Sequence, residues 1–453
     1  VRLAPSAQVH AARVRRARRG RRRGSRRQIL RHAAAGAALD HRDGNGFAHG
    51  EIISQRAARQ RVVARLHRWH GTCFDAPAPH EKVASMSIEE AQFRGAGRVE
   101  AVTREEPADG AGRECLDHTA ERIARLLQYE YGGVRDGRQR IYFVPDHTLT
   151  LGEAARLGIR SERDLYGGVV PYAFVGTRAA THAPVSADAI VPQRWSYALA
   201  RMLATSVLRG YSAFSLMDAC TAAKRLLRSG PVRIHRGDAE PAEASAVLHD
   251  VDECLEALEA IPLVDLAVRG VVVEHALAEE TVHVVGSAQV GAQAISYIGT
   301  RRAPRIEQGR AVHAGCDLVV VQGDFAALDG VGLDAESRAA VLKAAHYDAA
   351  LAHAYRPSFA SRRSYDVVRG RNAHGEVRMG VRGPLWSCSA ESPAEVAAML
   401  AFRDLPGLAS LRASTYDSIG AFDLPDGAMV YHRADDEAGG LVTRYCTIDM
   451  HAS

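Results

Sequence analysis

The chain has 453 residues, 47% of them hydrophobic and 25% charged, with a formal net charge of +5. That is ample apolar chain for buried cores, and it rules out a protein disordered throughout. No apolar run reaches the eighteen or so residues of a membrane-spanning helix, and the seven cysteines (73, 115, 220, 254, 316, 388, 446) form no Cys-x-x-Cys pair, which argues against a zinc site or disulfide framework.

The first 85 residues hold 18 Arg and one Lys against five acids, so the remainder of the chain carries about −9. Such a segment repels itself and has little apolar surface to bury, so disorder is expected over 1–85. Three accounts stay open for it: a nucleic-acid-binding arm, an Arg-rich transit peptide, or a start codon placed upstream of the true start at Met86. Arg outnumbers Lys 55 to three along the whole chain, which points to coding bias rather than to an anionic partner. No signal-peptide pattern is recognised, and a cytoplasmic protein without a membrane partner is expected.

Patterned sequence begins after Met86. His118–Leu127 spaces Ile123, Leu126 and Leu127 as a helix, and Arg140–Val144 reads as a buried strand ending at Pro145. Leu151–Leu157 is a predicted helix, Asp164–Val175 a glycine-broken strand region, and 194–208 and 215–228 are predicted helices. Next come a short strand, Gly230–Arg236, a polar loop, 237–245, and a helix over roughly 250–260. The β-branched run Val271-Val272-Val273 then ends in Glu274-His275-Ala276-Leu277. Strands Thr281–Val290 and Ala294–Gly299 meet at Gly291. Cys316–Gln322 is a further strand, and Asp334–Tyr355 a long Ala-rich helix. Tyr365–Arg369 and Val377–Val381 pair across the turn Asn372–Gly375. Pro393–Phe402 is a helix with Ser392 as its expected N-cap. Alternating helices and strands of this kind predict an α/β (α+β) chain.

Several segments carry a resemblance. They are Asp164-Leu165-Tyr166-Gly167-Gly168-Val169-Val170-Pro171, Phe174-Val175-Gly176-Thr177-Arg178, His182, and Gly210-Tyr211-Ser212-Ala213-Phe214. They continue with Gly230-Pro231-Val232-Arg233, Ser296-Tyr297-Ile298-Gly299-Thr300, and Ser361-Arg362-Arg363-Ser364-Tyr365-Asp366-Val367. Through them the chain, from about 117 to 402, resembles an uncharacterised bacterial domain family labelled biotin-carboxylase-like. By the order of its elements it also resembles the ATP-grasp superfamily.

The resemblance implies a two-lobed ATP-grasp-like fold over about 191–405, preceded by a small amino-terminal α/β domain over about 100–190 and followed by an extension over 406–453. It implies ATP and Mg²⁺ as ligands, a nucleotide and an unidentified small-molecule carboxylate as partners, and an acyl-phosphate-forming ligase if the protein is active. By position, Arg178 and His235 take the places of two phosphate-touching lysines. Glu274 would accept from ribose hydroxyls, and the backbone up to Leu277 would meet the adenine edge. Asp366 takes the first metal-ligand place.

Other positions depart from the pattern. Loop 237–245 has one Gly, one Pro and three acids where a glycine-rich phosphate cradle belongs. Gly383-Pro384-Leu385-Trp386-Ser387 lacks the expected second metal ligands, for which Asp317 and Glu376 are stand-ins. The rival expectation is therefore a non-catalytic scaffold with weak nucleotide binding or none.

Overall fold

A computed structural model describes residues 97–104, 110–132, 139–237, 246–302, 305–307, 310–312, 315–420, 423–436 and 440–450, all within the unit Met86–Ser453. The Arg-rich segment 1–85 and most of loop 237–245 lie outside the described residues, and so do the expectations placed on them.

The amino-terminal part is a three-stranded parallel sheet in the order β2-β1-β3. Strand β1 (Gly97–Val102) leads into α1 (Gly110–Leu127), then β2 (Glu130–Tyr131) and β3 (Arg140–Pro145). Helix α1 begins about two turns before the expected His118, and Leu116, Ala120, Ile123 and Ala124 form its buried stripe. Strand β4 (Leu149–Thr150) runs directly into α2 (Leu151–Leu157), whose Thr150–Glu153 capping box explains its sharp start. Residues 164–175, expected as strand, hold only the three-residue β5 (Gly168–Val170) between two 3₁₀ turns.

A small antiparallel lobe follows. After α3 (Tyr197–Leu203), shorter than the expected 194–208, come β6 (Gly210–Ala213), α4 (Leu216–Leu226) and β7 (Val232–Arg236). Then α5 (Val251–Glu259) and α6 (Leu263–Arg269) precede β8 (Val271–His275), which sits between β6 and β7. Ala219, Ala222, Ala223 and Leu226 of α4 pack with Leu258 of α5 over Val271 and Val273 of the central strand.

The large lobe is an eight-stranded antiparallel sheet. It contains β9 (Ala278–Val290), β10 (Gln293–Arg301) and β13 (Gly315–Gln322), the last reached through the small hairpin β11 (Arg305–Glu307) and β12 (Arg310–Val312). Helix α7 (Ala335–Ala354) and the two-residue β14 (Phe359–Ala360) lead to β15 (Arg362–Arg371) and β16 (Val377–Leu385). Helix α8 (Ser392–Asp404) is followed by β17 (Ser410–Ile419), β18 (Met429–Asp436) and β19 (Gly440–Asp449). The sheet order is β16-β15-β9-β10-β13-β17-β19-β18.

Alternation along the strands serves two cores. Val284, Tyr297 and Val320 point to the face covered by α1 and α8, while Val285, Ile298 and Val321 point to the face covered by α7. Ser392 is not the N-cap of α8 but its first residue. Glu391 holds the cap position with helical backbone, and the Ser392 hydroxyl instead accepts from the Ser389 N–H at 3.0 Å.

The fold is mixed α/β, and its small antiparallel lobe beside a large antiparallel sheet resembles the expected two-lobed arrangement. Among the described residues no helix is long and apolar enough to cross a membrane.

Candidate functional site

Strand β8 is buried on both faces and delivers Glu274 to the junction of the two lobes with only 1% of its surface exposed. Neighbouring strand β7 places His235 beside it. The His235 Nε2 lies 3.0 Å from Glu274 Oε1, and its Nδ1 lies 3.4 Å from Nη1 of Arg178. A guanidinium only donates, so Nδ1 is the acceptor and Nε2 carries the hydrogen given to Glu274. Burial, with Arg178 and Arg382 nearby, pushes the imidazole below its ordinary pKa despite the pull of Glu274. His235 is therefore the neutral link between a cation and a carboxylate.

Glu274 has a second partner that sequence reasoning missed. Arg382, on β16, sets its Nε 3.4 Å from Glu274 Oε1 and grips both oxygens of Glu280 through Nη2, at 2.9 and 2.8 Å. Burial by itself would raise the Glu274 pKa, but His235 and Arg382 hold the carboxyl well below the usual range. The signal for Arg382 was the period-two series Arg378, Gly380, Arg382, which carries β16 past the expected end at Val381.

Arg178 and Arg382 border a small cavity of about 80 Å³. Its wall includes Arg104, Arg178 and Arg382, the start of the polar loop at Gly237, and Asp146, His147 and Asp366. That volume suits a phosphoryl-sized group and falls short of the roughly 300–1,000 Å³ of a typical small-molecule pocket. The three arginines make the cavity a candidate anion site, because guanidinium groups grip phosphate or carboxylate oxygens in a fixed fork.

The structure thus brings Arg178, His235 and Glu274 into one hydrogen-bonded chain and sets Asp366 on the same cavity. Leu277 is apart from them. Its side chain packs in a satellite cluster with Leu208 and Val368. Just before it, the His275 and Ala276 N–H groups donate to the carbonyls of Arg209 and Pro231.

A magnesium ion does not fit the carboxylates present. Asp366 Oδ1 accepts from Arg301 Nη2 at 2.8 Å, and the same guanidinium reaches Glu391 at 2.7 Å. Asp317 pairs with Arg302 and accepts from Ser414, and Glu376 sits in an exposed turn with Asn372 and Arg378, so neither borders this cavity. Among the described residues no group of three or more His, Cys, Asp or Glu is gathered as a metal would need. Asp366, expected in the first metal-ligand place, is paired here with Arg301.

The resemblance-bearing segments meet next to this site. Tyr166, Tyr297 and Arg362 converge on Glu395 of α8, and Arg362 also reaches the Leu385 carbonyl at 3.1 Å and Ser389 Oγ at 2.7 Å. Burial holds both tyrosine hydroxyls in the protonated, donating form, with their pKa values well above the ordinary one.

The chain is α/β, with a small cavity lined by three arginines, His147 and two aspartates. The chain belongs to a family described as protein of unknown function (DUF3182), which it matches over residues 99–446. None of the curated proteins matches it in sequence.

Among solved structures it is similar to phosphoribosylamine–glycine ligase from Thermotoga maritima, at 12% identity and TM-score 0.43 over 78% of this chain and 91% of that one. It is also similar to D-alanyl-alanine synthetase A from Vibrio cholerae, at 10% identity and TM-score 0.44 over 68% and 93%. A RimK domain ATP-grasp protein from Sphaerobacter thermophilus shares 17% identity, with TM-score 0.33 over 67% and 98%.

Proposed function

We propose that the protein is an ATP-grasp-like ligase that holds the phosphates of a nucleotide against Arg178, Arg382 and Arg104 and activates a small carboxylate as an acyl phosphate. The observation that supports this most is that three arginines, distant from one another in the sequence, line one cavity. Positioning and charge stabilisation are what phosphoryl transfer asks of a protein, and fixed arginines supply both. No step is assigned to magnesium, since the residues present do not form its site. The division into an amino-terminal α/β domain over about 100–190 and an ATP-grasp-like region over about 191–405 belongs to the same proposal.

One observation favours a second reading. Glu274 is already held by His235 and Arg382 and is 1% exposed, so it has no oxygen turned to a ribose in this arrangement. A scaffold that lost its chemistry and kept the ionic lattice would look this way.

Calorimetry of ATP binding to the full chain, with and without Mg²⁺, separates the two. Micromolar binding that weakens at least tenfold in both Arg178→Ala and Arg382→Ala supports the ligase reading. A folded protein that binds no nucleotide leaves the scaffold.

A further inference from the structure

The cavity has a second wall, where Asp146 and His147 stand near Arg104. Strands β1 and β3 run parallel with Val102 beside Pro145, and the residues past their carboxyl ends, Arg104 and Asp146–Thr148, line the cavity. The carboxyl end of a parallel sheet is where the chain turns away and leaves a crevice for ligands. Asp146 is fixed there. Its N–H donates to the Val102 carbonyl at 3.0 Å, and its two oxygens accept from the Arg104 N–H at 3.2 and 3.3 Å.

His147 is oriented by this carboxylate, its Nδ1 against Asp146 Oδ1. On the far side of the ring, Nε2 lies 3.8 Å from Glu153 Oε1, beyond hydrogen-bond reach. The other Glu153 oxygen is taken by the Thr150 cap through the N–H and the hydroxyl, each at 2.7 Å. The ring thus presents an Nε2 that makes no short bond to either carboxylate, and His147 is one of the residues that line the cavity.

We propose that His147 is the general base for an amine nucleophile, with Asp146 as its positioning residue. This inference rests on the ligase reading. The anionic side of the cavity draws in an ammonium group, while the arginines hold the acyl phosphate. Nε2 takes a proton from the amine, and the nitrogen attacks the acyl carbon. The C–N bond forms, the C–O bond to the phosphoryl group breaks, and phosphate leaves with that electron pair and takes up the second proton shed by the nitrogen.

The imidazolium so formed is stabilised by Asp146 and Glu153, as a base flanked by carboxylates requires. Arg104, Arg178 and Arg382 oppose its charge from the cavity walls, and Asp366 offsets them.

The test compares two nucleophiles on the full chain. Protein and ATP are supplied with a pool of amino acids and dicarboxylic acids as acyl donors, and with either ammonia plus glycine or hydroxylamine. Hydroxylamine is largely unprotonated at neutral pH and attacks without a base. In His147→Gln, amide formation should fall about 100-fold or more, in line with the roughly 10²–10⁴ worth of a general base. Hydroxamate formation should stay within about threefold. Asp146→Asn should lower amide formation in the same selective way.

Equal loss of both products would mean that His147 only supports the fold, and unchanged amide formation would mean that it takes no part; either overturns the proposal. A wild-type protein that makes neither product overturns it as well. That last failure appears in the unmutated chain and marks the ligase reading, whereas the others appear only in the variants.

Discussion

Arg362 and Glu395 form an ion pair from which solvent is excluded on both sides: each is 0% exposed, with Nη2 2.7 Å from Oε1 and Nε 3.0 Å from Oε2. Tyr297 donates to one carboxylate oxygen at 2.8 Å and Tyr166 to the other. A pair so deep is tolerable only because every polar atom has an answer, and removal of one partner leaves a charge with none. We expect Arg362→Met and Glu395→Gln each to cost about 3–5 kcal/mol, and the double variant to cost less than the sum of the two. Urea denaturation of the four proteins checks this.

Acid should loosen the fold in two stages. Burial pushes His235 and His182 below the ordinary imidazole value, so they stay neutral when folded and take up protons around pH 6.5 once unfolded. Unfolding then binds protons, and stability falls as pH drops below about 6.5. Glu274 adds a second loss below about 4.5, where the unfolded carboxyl protonates and the folded one does not. The urea midpoint should decline from pH 7.5 to 5.5, and His235→Gln should flatten that slope. A midpoint that does not change over this range would contradict the assignment.

Gly383 lies against Arg178. Its φ is +144°, and a Cβ there would come within 2.9 Å of the Arg178 Cα and 2.7 Å of its Cγ. Gly383→Ala should therefore displace the arginine and weaken ATP binding, besides costing about 1–3 kcal/mol. Gly375 has φ +75° with nothing within 4 Å. Gly375→Ala should be destabilising through strain alone and leave ATP affinity as it was. Calorimetry on both variants separates displacement from strain.

Arg382 balances Glu274 and Glu280 together. Arg382→Ala leaves two acids without their shared cation, so it should lower the thermal midpoint as well as nucleotide affinity. Glu280→Gln, which keeps the Arg382–Glu274 contact, should change stability little and affinity by less than about threefold, or roughly 0.6 kcal/mol. Scanning calorimetry with and without ATP reads both effects.

Much of the fold was legible because it obeys local rules. The Thr150–Glu153 box, the Asp334 cap of α7 and the run Val271–Val273 each announce an element within a few residues. Strand β1 and the strands after 405 were not legible. Gly97–Val102 sits just past the basic arm and holds Arg and Glu among its apolar residues. The last three strands carry Ser, Thr, Arg and Asp on their open face, which dilutes any apolar run. At the site, residue types were readable and pairings were not. Arg178, His235 and Glu274 were singled out one by one, but that they are joined, and that Arg382 closes the chain, depends on strands that meet only in three dimensions.

The order of strands in the large sheet sets a timetable for synthesis. Strand β19, synthesised after both, lies between β17 and β18 and is, among the described residues, the only neighbour of β18 in the sheet. Neither β17 nor β18 can complete its ladder until residues 440–449 are free of the exit tunnel. A nascent chain arrested before that point would hold β17 with one edge open, ready to capture a strand from another copy. Residues 440–449 therefore act as a latch, and a tag or fusion placed close behind Asp449 would delay its closing.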